Sequence, residues 1–82
     1  MYPLDVIRKE IQKLYQTNPN IHVNITMKHP KIYLHNEPAV IKGVYPHIFQ
    51  IEEHSSGCAQ THSFQYADVL MRSVEIRELG EK

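Results

Sequence analysis

The stretch Phe64-Gln65-Tyr66-Ala67-Asp68-Val69-Leu70, followed by Val74-Glu75-Ile76-Arg77, decides the fold of this chain. A polar strand end runs into one apolar helical turn, and then into a strand of alternating apolar and polar residues. Asp68 stands at the start of the turn, where a carboxylate accepts hydrogen bonds from free backbone N–H groups. This order of strand, helical turn and strand is typical of the last part of a small β-barrel.

Four more strands are predicted upstream. Apolar and polar residues alternate over residues 21–27, which predicts a strand with one buried and one solvated face. Residues 28–38 are interpreted as a partly extended excursion between the first and second strands. The five predicted strands are residues 21–27, 39–45, 47–53, 60–65 and 72–78.

One helix is predicted over residues 3–16. Its apolar residues Leu4, Ile7, Ile11 and Leu14 recur at steps of three and four, so they share one face. This face is expected to cover an open end or side of the barrel. The alternative is a contact between helices across a dimer.

These elements predict a single domain, residues 1–82, that is mainly β with one N-terminal helix. The expected architecture is an SH3-like or Sm-like five-stranded small barrel over residues 21–79. A chain of 82 residues has a thin core and no room for a second domain or a large catalytic cleft.

Composition indicates a cytoplasmic protein. The one cysteine excludes an internal disulfide and is typical of a reducing compartment. No leader or membrane-spanning stretch is predicted. Net charge is zero but uneven: residues 1–42 carry six basic and three acidic groups, and residues 43–82 carry three and six. The chain lacks the uniformly basic surface expected of a strong nucleic-acid binder.

Candidate catalytic and metal sites are weak. The spacing His54-x3-Cys58-x3-His62 brings together good zinc ligands, but it matches no standard zinc knuckle and lacks an evident fourth ligand. No nucleophile motif surrounds Cys58, and no glycine-rich loop offers an oxyanion or phosphate site. We therefore expect no catalytic residues, no metal and no cofactor.

A binding patch is the better hypothesis. Its members are basic or aromatic and lie mostly in the predicted excursion: Lys28, His29, Lys31, Tyr33 and Lys42. Such a patch suits contact with a protein partner. It also suits nucleic acid, since basic groups contact phosphates and aromatic rings stack on bases. The sequence also leaves self-association open, because sheet edges can pair between copies.

Three blocks of the sequence resemble those of a known family. The blocks Tyr45-Pro46-His47-Ile48-Phe49-Gln50-Ile51, Phe64 to Leu70 and Val74-Glu75-Ile76 are similar, in sequence and spacing, to those of the Veg family of small Gram-positive proteins. The resemblance covers nearly the whole chain. It implies a helix followed by an SH3-like or Sm-like barrel, and a cytoplasmic, non-enzymatic regulator. It carries no catalytic residues.

The resemblance also implies a function: stimulation of biofilm formation and control of transcription by antagonising a repressor. The chain departs from the family at Met27-Lys28-His29-Pro30-Lys31, where members tend to have a Gly- and Arg-rich connection. The function predicted from the sequence is therefore a regulatory binding protein that contacts a DNA-binding repressor. The alternative is an Sm-like module that binds RNA or DNA.

Overall fold

The computed structural model describes residues 3–28 and 31–79. Two helices and five strands lie within them. In chain order they are α1 (Pro3–Thr17), β1 (Asn20–Lys28), β2 (Lys31–Val44), β3 (Ile48–Glu53), β4 (Gln60–Gln65), α2 (Tyr66–Leu70) and β5 (Val74–Ile76). The mainly β class, the N-terminal helix and the helical turn before the last strand are confirmed.

The strands form one antiparallel sheet in the order β4-β3-β2-β1-β5. A closed barrel would need β4 to pair with β5, and within the described residues these strands remain the two edges of an open sheet. The turn of α2 lies between them in the chain, and β5 is only three residues long. The closed SH3-like or Sm-like barrel is therefore not confirmed.

Residues 31–38 differ from their prediction. They are the first part of the 14-residue strand β2 and pair with β1, from Lys28↔Lys31 to His22↔Pro38. The polar residues that indicated an excursion are tolerated because β1 supplies hydrogen bonds on one side and solvent covers the exposed side chains.

A bulge divides β2. Between the pairs Val23↔Glu37 and Ile25↔Leu34, β2 contains one residue more than β1. Asn36 lies in this bulge with φ at 50°, a left-handed conformation that asparagine tolerates better than most residues. The extra residue shifts the alternation of side chains. Ile32 and Leu34 face the core before the bulge, whereas Ala39 and Ile41 do so after it.

The core lies between α1 and the inner face of the sheet. Ile11 of α1 is fully buried, and Ile7 and Leu14 pack against the core. The helix therefore buries most of its predicted apolar face within its own chain. Leu4 is the exception, since 46% of its surface is exposed. No helix in the described part of the chain is long and apolar enough to cross a bilayer.

Candidate partner-binding site

The β1–β2 hairpin extends beyond the other strands. β3 pairs with β2 only from Ala39 onward, and β5 pairs with β1 only over Val23–Ile25. One more bond, from Thr26 N to the Ser73 carbonyl, lies on the β5 side. We call residues 26–28 of β1 and 31–35 of β2 the arm. Within the described residues the arm consists of two paired strands, and no third strand pairs with either of them there.

The two faces of the arm differ in chemistry. Met27, Ile32 and Leu34 are partly buried and pack against the core. The opposite face carries Lys28 and Lys31 as direct cross-strand partners, and Thr26 opposite Tyr33. The Tyr33 side chain has 74% of its surface exposed. This exposed face joins three of the five residues predicted from the sequence: Lys28, Lys31 and Tyr33.

The exposed face of the arm is electropositive. Lys28 and Lys31 are opposite one another, and like charges in this position destabilise a strand pair. No Asp or Glu among the described residues lies within salt-bridge distance of either amine. An anionic group that bound here would gain attraction from both lysines and relieve their repulsion.

Two predicted residues do not join this face. Lys42 lies nine residues beyond Tyr33 along β2, a separation of up to about 30 Å in an extended strand. Its Nζ lies 3.5 Å from Glu52 Oε1 on β3, so its charge is already compensated. Lys42 is therefore removed from the site. His29 lies outside the described residues.

The base of the arm is held by residues that the sequence analysis did not single out. Asn24 Oδ1 accepts a hydrogen bond from the backbone N–H of Asn36 at 2.8 Å. Asn36 Oδ1 in turn accepts one from Arg77 Nη1 at 3.2 Å. These contacts tie the bulge to β1 and to the residue that follows β5. An asparagine within a polar break was the available signal, because asparagine favours bulges and turns.

The three residues of the zinc-like spacing take different positions. His54 and Cys58 are exposed in the turn between β3 and β4. His62 Nε2 lies 2.8 Å from Glu53 Oε2, beneath the inner face of the sheet. Within the described residues, no three histidine, cysteine or acidic side chains cluster in a way that suits a metal ion.

An open groove of about 750 Å³ lies between α1, the β2–β3 turn and the start of α2. It is lined by Leu4, Asp5, Arg8, Pro46, His47, Ile48, Gln65, Tyr66 and Ala67. Arg8 Nη2 is bonded to Asp5 Oδ1 at 2.7 Å, and this contact holds the pKa of Asp5 below its usual range. The groove thus offers a cation already neutralised by its neighbour, and the arm is the better candidate site.

The sequence blocks that carry the family resemblance build the core. The Tyr66 hydroxyl donates to the carbonyls of Tyr45, at 2.5 Å, and Ile48, at 3.0 Å. Burial raises the pKa of Tyr66. The Phe49 ring lies 5.5 Å from that of Tyr66 and 6.0 Å from that of Phe64. These blocks hold the β2–β3 turn against α2, so their role is structural.

Asp68 has the role predicted for it, since its Oδ2 accepts from the backbone N–H of Gln65 at 3.0 Å.

Comparison with known proteins identifies the family of this chain. A family model described as "Biofilm formation stimulator VEG" matches residues 3–77. No curated protein and no solved structure shows a significant match. Because the family match spans nearly all of the 82 residues, the chain belongs to the Veg family of biofilm formation stimulators.

Proposed function

We propose that this protein is a non-enzymatic, cytoplasmic regulatory binding protein that modulates transcription by contacting a DNA-binding repressor. The family description supports a role in biofilm formation. The observation that supports partner binding is the exposed face of the arm. This face carries the exposed ring of Tyr33 and two lysines whose charges no acidic side chain of the described residues compensates. Exposed tyrosines are favoured at protein interfaces because a large ring contributes contact area at little entropic cost.

The same face supports a second candidate function, the binding of RNA or DNA. Lys28 and Lys31 would contact phosphates, and the Tyr33 ring would stack on a base. The two candidate functions differ in how binding affinity depends on salt concentration. Phosphate contacts weaken steeply with salt, whereas an interface with an aromatic centre weakens less.

We further propose that the sheet is an open form of the SH3-like or Sm-like barrel. The order β4-β3-β2-β1-β5 and the helical turn between the last two strands support this relation. In this view the arm is a long first hairpin that extends past the barrel, which leaves its exposed face available to a partner.

The direct test is photo-crosslinking in the producing bacterium, with p-benzoylphenylalanine in place of Tyr33. The matched control carries the same probe in place of Tyr15, a tyrosine of α1 that is also exposed. We expect adducts with a DNA-binding repressor from position 33 and not from position 15. Adducts with nucleic acid alone would favour the second function, and identical adducts from both positions would contradict both proposals.

Affinity for the identified repressor then tests the lysines. Lys28→Glu combined with Lys31→Glu is expected to weaken binding at least tenfold. Lys9→Glu combined with Lys13→Glu makes the same change in net charge on α1 and is expected to leave binding within twofold. Anisotropy of labelled RNA and DNA oligomers at about 50 and 200 mM salt separates the two functions, since counterion release is strong over that range.

A further inference from the structure

The edge formed by β4 lacks the protection that the other edges have. Natural sheets blunt their edges with short strands, charges, prolines or bulges, because unpaired backbone groups are a template for another strand. β5 has three residues, and the unpaired half of β2 contains Lys31, the Asn36 bulge and Pro38. β4 reads Gln-Thr-His-Ser-Phe-Gln, with no acidic or basic residue besides His62, no proline and an unbroken six-residue register with β3.

The backbone groups on the outer edge of β4 can be assigned from the hydrogen bonds of β3. Tyr45 N donates to the Ile48 carbonyl, so Ile48 directs its backbone groups toward β2. These directions alternate along a strand, so the backbone N–H and C=O groups of Phe49 and Ile51 point toward β4. The backbone groups of their partners, Phe64 and His62, point toward β3.

Thr61, Ser63 and Gln65 therefore direct their backbone groups outward, where the described residues provide no further strand. The N–H of Gln65 is already bonded to Asp68 Oδ2. The remaining outward groups are the N–H and C=O of Thr61 and Ser63. The C=O of Gln65, the N-cap residue of α2, accepts the first bond of that helix and keeps a second lone pair for a partner strand. Both Thr61 and Ser63 are exposed, which leaves this edge open to a partner strand.

We propose that β4 pairs with β4 of a second copy of this chain, antiparallel, across a two-fold axis at Ser63. Ser63 lies opposite Ser63 of the second copy, and each donates its N–H to the other's carbonyl. On each side of the axis, Thr61 of one copy lies opposite Gln65 of the other copy and donates its N–H to the Gln65 carbonyl. The four bonds join the two five-stranded sheets into one sheet of ten strands.

The sequence of β4 favours this register over its neighbours. Residues directly opposite in an antiparallel pair point to the same face. Centring on Ser63 sets His62 opposite Phe64 on the inner face and Thr61 opposite Gln65 on the outer face, with no like charges opposed. A register centred on His62 opposes two imidazoles. A register centred between His62 and Ser63 opposes an inner-face residue to an outer-face residue, which breaks the continuity of the core side.

Sedimentation of the full chain across a dilution series tests the proposal. The mass is expected to rise with concentration from the 9.6 kDa monomer toward twice that value. Ser63→Pro removes an N–H that β3 does not use, and Thr61→Lys adds a charge to the edge; each is expected to keep the chain monomeric. Gln50→Lys, on β3, is the matched control and should still dimerise.

A monomer at every concentration, a mass that grows beyond two chains, or a dimer unaffected by both edge variants would overturn the proposal. Cross-linking gives an independent readout in a Cys58→Ser background. Directly opposed residues in a hydrogen-bonded pair have Cα atoms about 5.5 Å apart, within the range that a disulfide spans. With oxidised glutathione, Ser63→Cys should form covalent dimers at least tenfold faster than Gln50→Cys, and equal rates would contradict the register.

Discussion

Glu53 and His62 form a buried pair at one end of the core. Glu53 Oε2 lies 2.8 Å from His62 Nε2, and Glu53 Oε1 accepts the backbone N–H of Ser55 at 2.6 Å. Only 2% of the Glu53 surface is exposed. Glu53 continues the inward alternation of Phe49 and Ile51, and so its carboxylate enters the core side of the sheet, where two donors satisfy it.

This pair predicts a loss of stability in acid. Burial raises the pKa of Glu53, but the hydrogen bonds from Ser55 and His62 outweigh it and hold the pKa below the ordinary value of 4.5. The unfolded chain therefore binds a proton at higher pH than the folded chain does. The stabilising contribution of Glu53 is complete above pH 4.5 and is lost as pH falls through the lower folded pKa.

Glu53→Gln should flatten this acid limb and lower the free energy of unfolding at pH 7 by about 2 kcal/mol, the contribution of hydrogen bonds to a charged group. Urea unfolding at a series of pH values measures both effects. Glu10→Gln, an exposed change on α1, serves as the control and should leave the acid limb unchanged. An identical acid limb in Glu53→Gln and the original chain would refute this assignment.

Tyr66→Phe should lower the free energy of unfolding by about 0.5–1.5 kcal/mol, the net contribution of a hydrogen bond. It removes the hydroxyl that bonds the carbonyls of Tyr45 and Ile48, and the Ile48 carbonyl keeps its bond from the Tyr45 N–H. The ring itself would still pack on Phe49, so the fold should persist. Chemical denaturation measures the change. Tyr15→Phe removes a hydroxyl from an exposed tyrosine and should change stability by less than about 0.5 kcal/mol. Equal effects of the two variants would argue against the anchoring role.

The left-handed backbone at Asn36 predicts a difference between two substitutions. Asn36→Gly and Asn36→Ala both remove the side-chain bond with Arg77, but only alanine carries a Cβ into a backbone with φ at 50°. Asn36→Ala should therefore be less stable than Asn36→Gly by about 1 kcal/mol. Thermal or urea unfolding of the pair isolates this strain. Equal stability would mean that the bulge relaxes to another conformation.

Lys31→Glu should separate stability from binding. It replaces a cross-strand pair of like charges by an opposite pair with Lys28, which should raise the free energy of unfolding by about 0.2–1 kcal/mol at low salt. It should also weaken partner binding, since the net charge of the two facing side chains at positions 28 and 31 falls from two positive charges to zero. Unfolding at low and high salt, beside the binding assay, measures both. A less stable variant would indicate that the two amines do not repel in the folded chain.

The sequence predicted most elements because each carries a strong local pattern. The alternation over residues 21–27 and the helical spacing of Ile7, Ile11 and Leu14 both produced elements within a few residues of their predicted bounds. Residues 31–38 were misassigned because Asn36 and Pro38 are typical of loops. Their pairing with β1 depends on residues distant in sequence, and local composition does not report it.

Part of the candidate site was predicted because some of its residues are close together in the sequence. Lys28 and Lys31 flank a hairpin connection, and Tyr33 follows on the same face, so their grouping is a local property. Lys42 was grouped with them by charge alone, and its ion pair with Glu52 depends on the register of β2 and β3. Barrel closure is likewise a property of the whole sheet, and no short segment specifies it.

The bulge at Asn36 makes the arm a separable module. It resets the side-chain phase of β2, so the inward residues of the arm on that strand are counted from the bulge, whereas on β1 the alternation runs unbroken from Ile21 to Met27. The arm can therefore change length in steps of two residues on each strand, added beyond Leu34, while the sheet below it keeps its packing. A single inserted residue would instead turn Tyr33 and Lys31 inward, so variation in arm length among related chains should occur in even steps.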